Sequence, residues 1–236
     1  MSLMALRRFE LWRIRRRLRR IAEAYWTGDA NDYALIRSYM TELAKLREMT
    51  GTGRPQGRAL HIGSGGHFLQ GWINTDIVAS PLTDVVFNIK EGFPVHSSSV
   101  QWIHSEDVLE HLDQETGRVF AQEAFRVLVP GGVMRVVTPD LRAIVRHVYL
   151  RAEHRHLSWC AQKLGAETPC EAFNMHLRMN GEHRFLYDRE QLETLFNSAG
   201  FKVRFVRFGR STHQELCNLD LRNFGLSLYA EAVRSG

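Results

Sequence analysis

The sequence is poor in cysteine, has no long apolar run, and has almost no acid in its first twenty residues. Only Cys160, Cys170 and Cys217 occur, and none forms a C-x-x-C pair. So sparse and odd a set excludes a disulfide-stapled fold and fits free thiols in a reducing compartment. His154 and His156 precede Cys160, but without zinc-finger spacing. That stretch therefore reads as a solvated helix face, and no metal is expected. No apolar segment approaches the roughly 18–20 residues of a membrane span. The basic start lacks an unbroken apolar core and a small-residue cleavage site, so it does not read as a signal peptide. A cytoplasmic location is expected, peripheral to a membrane if the basic start contacts one. Gly-Lys-Ser/Thr is missing too, which excludes a P-loop.

Charge is unevenly placed. Residues 1–20 hold eight arginines (Arg7, Arg8, Arg13, Arg15, Arg16, Arg17, Arg19 and Arg20) against the single Glu10. The rest of the chain has 23 basic and 25 acidic residues, so the net charge of +5 belongs to one segment. Bulk charge thus gives the body of the protein no nucleic-acid surface. With 236 residues, 44% hydrophobic and 24% charged, the composition is that of a globular chain of about one domain.

Residues 4–26 read as a helix, because Leu11, Ile14, Leu18, Ile21 and Tyr25 recur at helical spacing. Gly28-Asp29 and Asn31-Asp32 read as a break and a new N-cap. A second helix is predicted over 32–49, with Leu35, Tyr39, Leu43 and Leu46 on one face. The stretch 50–57 holds three glycines and a proline and reads as a linker. The chain therefore divides into a basic helical appendage, 1–50, and a main domain, 57–236.

In that domain short apolar runs alternate with helices. Strands are predicted at Arg58–Gly63, Trp72–Asp76, Asp84–Phe87, Val100–His104, Val133–Thr138, Val203–Phe208 and Leu226–Val233. Helices are predicted at Glu115–Val129, from Asp140 to about Lys163, and from Asp188, capped with Gln191, to Gly200. This pattern implies an α/β fold: a doubly wound, mostly parallel seven-stranded sheet with a last antiparallel strand. Ligands of such sheets sit at the carboxyl ends of the strands, near the switch in strand order.

An apolar strand empties into Gly63-Ser64-Gly65-Gly66, and Asp76 ends the next strand. Glycines let a ligand approach the main chain, and a carboxylate there can accept both hydroxyls of a ribose. A Gly-x-Gly by itself is equally a tight turn. Followed by Asp76, it points to a nucleoside. A dinucleotide fingerprint needs a third glycine where Phe68 stands and an acid about twenty positions on, whereas Asp76 follows Gly63 by thirteen. That argues against a nicotinamide dinucleotide.

Five segments, His61-Ile-Gly-Ser-Gly-Gly66, Gly71-Trp-Ile-Asn-Thr-Asp76, Ser105-Glu-Asp-Val-Leu-Glu-His-Leu112, Phe125-Arg-Val-Leu-Val-Pro-Gly-Gly-Val133 and His183-Arg-Phe-Leu-Tyr-Asp188, resemble class I S-adenosylmethionine-dependent methyltransferases, most of all their type 11 branch. The likeness covers about residues 58–233 and implies a Rossmann-like methyltransferase sheet with S-adenosylmethionine as cofactor. It implies that Gly63, Ser64 and Gly65 line the methionine part and that Asp76 holds the ribose. Asn88 and Ile89 then meet the adenine, and Ser105 and Glu106 border the methyl. The family often has an acidic residue where this chain has His61, which joins the cofactor residues on position. The resemblance also implies a small-molecule or glycan acceptor.

An amine or hydroxyl acceptor must lose a proton, and His111 and Asp107 stand nearest as general bases. His183 could form a lid. Each has a plainer reading: packing for His111, a helix-end charge for Asp107, a backbone bond for His183. The long loop from about Gly165 to Tyr187 is expected to shape the substrate pocket. Two other readings stay open. One is a non-catalytic nucleoside-binding module, motivated by His61. The other is a protein that binds an anionic surface through residues 4–26, which alternatively pack on their own domain or a second subunit; nucleic acid is the least favoured partner.

Overall fold

The computed structural model describes residues 3–27, 32–53, 55, 57–222 and 225–236. Its contacts form two compact units. One comprises Met1–Thr52 with Ile144–His176, the other Gly53–Ala143 with Leu177–Gly236. The stretch 144–176, which the sequence places in the main domain, thus groups with the N-terminal helices.

In the first unit, α1 (Leu3–Thr27) and α2 (Asp32–Thr50) pack as an antiparallel pair. Arg7 donates to the Met49 carbonyl at 2.6 Å, and Arg17 pairs with Glu42 at 3.2 Å. Ile14 of α1 and Tyr39, Leu43 and Leu46 of α2 are buried, the apolar stripe that the spacing predicts. The predicted break at residues 28–31 and the side chains of Tyr25 and Leu35 lie outside the described residues.

The single helix predicted from Asp140 to about Lys163 is in fact broken. It consists of α4 (Leu141–Ile144), a π-helical stretch (Val145–Leu150) and α5 (His154–Leu164). Ala152 takes a positive φ of 48°, and Glu153 turns extended as the N-cap of α5. The Glu153 carboxylate accepts from His147 at 2.7 Å and pairs with Arg155 at 3.3 Å. These contacts offset a left-handed alanine, so the break needs neither glycine nor proline. The predicted loop from Gly165 also carries an element of its own, α6 (Pro169–Arg178).

The second unit holds one sheet of seven strands: β1 (Ala59–Ile62), β2 (Ile73–Asp76), β3 (Val85–Val86), β4 (Val100–Glu106), β5 (Leu128–Pro139), β6 (Phe201–Phe205) and β7 (Ser227–Arg234). Their order is β3-β2-β1-β4-β5-β7-β6, parallel except for β7, which runs antiparallel to both β5 and β6. The sheet is therefore mostly parallel with one reversed strand, as the alternation implies. The order reverses between β1 and β4, which opens a crevice at their carboxyl ends.

On one face, α3 (Gln114–Val127) and α7 (Arg189–Ser198) cover the sheet. Asp113 caps α3 by accepting from the Thr116 amide, and Asp188 caps α7 by accepting from the Gln191 amide. Phe120, Ala124 and Val127 of α3 and Leu192 and Phe196 of α7 are fully buried against Leu60, Ile62 and Ile103. On the other face Ala59 and Trp102 pack with Leu69, Trp72, Leu216 and Leu219. Between β5 and β7 lies a buried ion network. Arg135 donates to Asp220 at 2.7 Å and to Glu231 at 3.2 Å, and Arg204 reaches Glu231 at 2.7 Å.

Candidate functional site

A cavity of about 690 Å³ opens at the carboxyl ends of β1 to β4. Each strand hands it a turn. Gly63 and Gly65 follow β1, Asp76 and Ile77 end β2, Phe87 to Lys90 follow β3, and Asp107 and Val108 follow β4. His111, Leu112, Asp113, Thr116 and Arg184 complete the lining.

The glycine turn is required by its geometry. Gly63 has φ +69°, and a Cβ there would lie 2.1 Å from Val108 Cγ2. Gly65 has φ +46°, yet a Cβ on it would meet nothing within 4 Å. One glycine thus lets β1 close on the β4 turn, while the next leaves open space. The Gly65 amide donates to Asp76 Oδ2 at 2.8 Å, and the Val78 amide to Oδ1 at 3.0 Å. Turn and carboxylate therefore converge on one rim of the cavity. Each carboxylate oxygen keeps acceptor capacity beyond these amides. Ser64, expected beside the cofactor, is buried in the turn and does not line the cavity; its hydroxyl has no hydrogen-bond partner among the described residues.

Asn88 accepts from the Lys90 amide at 3.1 Å, which caps the short turn carrying Ile89 along the wall. Asp107 takes a positive φ of 53°, rare for a residue with a side chain, and its Oδ2 accepts from Arg222 Nε. His111 lines the cavity. Its Nδ1 lies 3.2 Å from the Glu182 carbonyl. A carbonyl only accepts, so the hydrogen sits on Nδ1 and Nε2 carries the lone pair. The His183 ring packs edge-on to His111 at 5.2 Å and does not line the cavity.

Several expected cofactor residues stand elsewhere. His61 is buried, bonded through Nδ1 to Asn74 at 3.1 Å, and turned to the Trp72 side of the sheet, away from the cavity. Ser105 and Glu106 are also buried and do not line it. Because β4 runs to Glu106 rather than ending at His104, the turn that meets the cavity is Asp107-Val108. Glu106 instead accepts from the Leu221 and Arg222 amides at 2.9 and 2.6 Å. Burial, with Asp107 and Asp220 nearby, pushes its carboxyl up to about 8. Burial likewise raises the Glu110 carboxyl well above the usual range, although Thr138 donates to it at 3.0 Å. Val108, Lys90, Asp113, Thr116 and Arg184 were not anticipated. Of these Val108 and Arg184 carried a signal, since each stands inside a quoted motif, beside Asp107 and His183.

Residues 33–205 match the profile of a family described as "Methyltransferase domain", well over half of the chain. The chain belongs to this methyltransferase-domain family, with the Rossmann-like methyltransferase fold. A SAM-dependent methyltransferase from Archaeoglobus fulgidus has the same fold, with 15% identity and a TM-score of 0.50; the match covers 81% of this methyltransferase and 92% of that chain. The YcgJ protein from Bacillus subtilis is 13% identical with a TM-score of 0.48, covering 82% of this chain and 98% of that one. The CurJ carbon methyltransferase is 17% identical with a TM-score of 0.45, covering 83% of this chain, which spans only 52% of its length. Among curated proteins none matches. No described helix is long and apolar enough to cross a membrane.

The cavity fits the family's cofactor. Its volume lies within the roughly 300–1,000 Å³ of small-molecule sites. An open glycine turn and a carboxylate with acceptor capacity to spare suit a ligand with an amino-acid end and a ribose.

Proposed function

We propose that this methyltransferase holds S-adenosylmethionine against the glycine turn and passes its methyl to a small-molecule or glycan acceptor. The Gly65–Asp76 hydrogen bond carries the reading, because it brings the two sequence signals to one rim. Asp76 accepts the ribose hydroxyls, Gly63 and Gly65 give the methionine part access to the main chain, and Asn88 and Ile89 flank the adenine. When bound, the cofactor supplies a methyl made electrophilic by the positive sulfur. The protein's share is alignment and exclusion of water, which contribute much of the rate in such a transfer. Asp107-Val108 and His111 form the wall where the acceptor must lie. His111 Nε2 takes the acceptor's proton, since Nδ1 is held by the Glu182 carbonyl. Asp107 is the second base candidate, with Oδ2 occupied by Arg222. His183 buttresses His111. The polar groups Lys90, Asp113 and Arg184 in the lining suit a hydroxylated acceptor. Titration calorimetry with S-adenosylmethionine and S-adenosylhomocysteine tests the reading: saturable heat supports it, and none at millimolar ligand removes it.

We also infer that α1 lies on an anionic lipid surface. Phe9 and Trp12 are about half exposed, 49% and 52%, and their rings stack at 5.9 Å. Arg13 and Arg16 sit over them at 6.0 and 5.1 Å, and Arg8, Arg15 and Arg20 are exposed on the same helix. Apolar rings among cations match such an interface. Sedimentation with phosphatidylserine vesicles should carry the protein down and neutral vesicles should not. Equal behaviour with both, or no loss on Trp12→Ser, contradicts it.

A further inference from the structure

We propose that His61, His67 and His104 form a binding site for one first-row divalent cation, zinc above all, on the sheet face away from the cofactor cavity. Three elements bring them together. His61 on β1 and His104 on β4 are register partners in adjacent parallel strands, so their side chains share a face. His67 comes from the turn after the glycines, held by its amide bond to the Ser64 carbonyl at 2.7 Å. One nitrogen from each ring lies within 4.8 Å of the other two. All three side chains are buried, with exposures of 1%, 7% and 0%.

The orientation of His61 is what a ligand needs. Its Nδ1 meets Asn74 Oδ1 at 3.1 Å. The Asn74 amide is fixed the right way round, since the Leu69 amide donates to Oδ1 at 2.9 Å. Its Nδ2 in turn donates to the carbonyls of Leu69 and Trp72, both at 3.1 Å, and reaches Asp84 at 3.3 Å. Oδ1 is thus an acceptor, His61 carries its hydrogen on Nδ1, and the lone pair is on Nε2. A second hydrogen bond that sets tautomer and ring orientation is the usual support of a metal-bound histidine.

The donor set selects the ion. Three imidazoles, with the Glu106 carboxylate 3.8 Å from His104 Nε2 alone, favour zinc and its neighbours over calcium or magnesium. Zinc–nitrogen bonds of about 2.0–2.1 Å in a tetrahedron bring the nitrogens to roughly 3.4 Å apart, so the rings must close slightly on the ion. The fourth position is left for water. Bound there, the ion ties β1 and β4 to the segment two residues past Gly65. The site does not depend on the methyl-transfer reading.

Full-length protein stripped with a chelator, and shown folded by circular dichroism, should be titrated with Zn²⁺ against a chromogenic competitor and with Co²⁺ in the visible range. The expected result is one equivalent bound, with the absorption of tetrahedral cobalt held by nitrogen. His67→Ala should weaken binding at least about tenfold, since loss of even an outer-shell partner costs 10–100-fold. His67→Gln serves if His67→Ala does not fold. His183→Ala should leave the affinity unchanged, which separates this site from the Glu110–His111–His183 group. No stoichiometric binding by the folded wild type, unchanged binding in the His67 variants, or loss in His183→Ala alone overturns the proposal.

Discussion

The Gly65 amide donates to the Asp76 carboxylate across 2.8 Å and joins the end of β1 to the end of β2. Eleven positions separate the two in the chain, and the cavity opens beside the bond they make. The rest of the site is arranged around this joint.

The two glycines of the turn should respond differently to alanine. Gly63→Ala forces a Cβ to 2.1 Å from Val108 at a positive φ, whereas Gly65→Ala meets open space. Gly63→Ala should lower stability by about 1–3 kcal/mol and Gly65→Ala by less. Chemical denaturation of both variants checks the order.

If His111 accepts the acceptor's proton, His111→Gln should lower kcat about 10²–10⁴-fold. Cofactor affinity should change little. An unchanged kcat, once an acceptor is known, would leave His111 a packing residue.

Asp220 faces the Arg135 guanidinium with both side chains wholly buried. Removing it strands a charge in the core, so Asp220→Ala should cost about 3–5 kcal/mol. Replacing Arg135 by Met and Asp220 and Glu231 by Leu together should cost far less. Thermal unfolding of the single and combined variants distinguishes a stranded charge from a lost contact.

Burial, with Arg155 beside it, lowers His156 to about 4, against the weaker opposing pull of Glu153; His147 and His176 add small lowering effects. Above about 6.5 the ring is neutral in folded and unfolded chains alike. Below 6.5 only the unfolded chain takes up the proton, so the stability that His156 contributes drains away until the folded pKa is passed. The stability difference between wild type and His156→Gln should therefore contract by about 2 kcal/mol between pH 6.5 and 5. A constant difference would mean that the ring titrates normally.

Most of the sheet was legible because its strands centre on short apolar runs bounded by turn residues, although β5 also takes in Pro130-Gly131-Gly132, and α3 and α7 because Asp113 and Asp188 stand where a cap must. The glycine turn and Asp76 were legible for the same local reasons. The break before α5 was not, since no glycine or proline lies between Asp140 and Leu164; Glu153 makes it through its own ion pairs. His61 was misplaced because β1 is buried on both faces, and a strand of that kind shows no alternation to say which side a residue takes. Ser105 and Glu106 were misplaced because β4 outruns its apolar core by two residues. The histidine cluster draws on three separate segments, so spacing along the chain held no sign of it.

The most direct measurement is calorimetric titration of S-adenosylmethionine into wild type and Asp76→Ala side by side. The wild type should bind, and the variant should bind more weakly by about 1–3 kcal/mol, the scale of a charged hydrogen bond. Equal affinities, or no binding by the wild type, would contradict a cofactor seated where Gly65 meets Asp76.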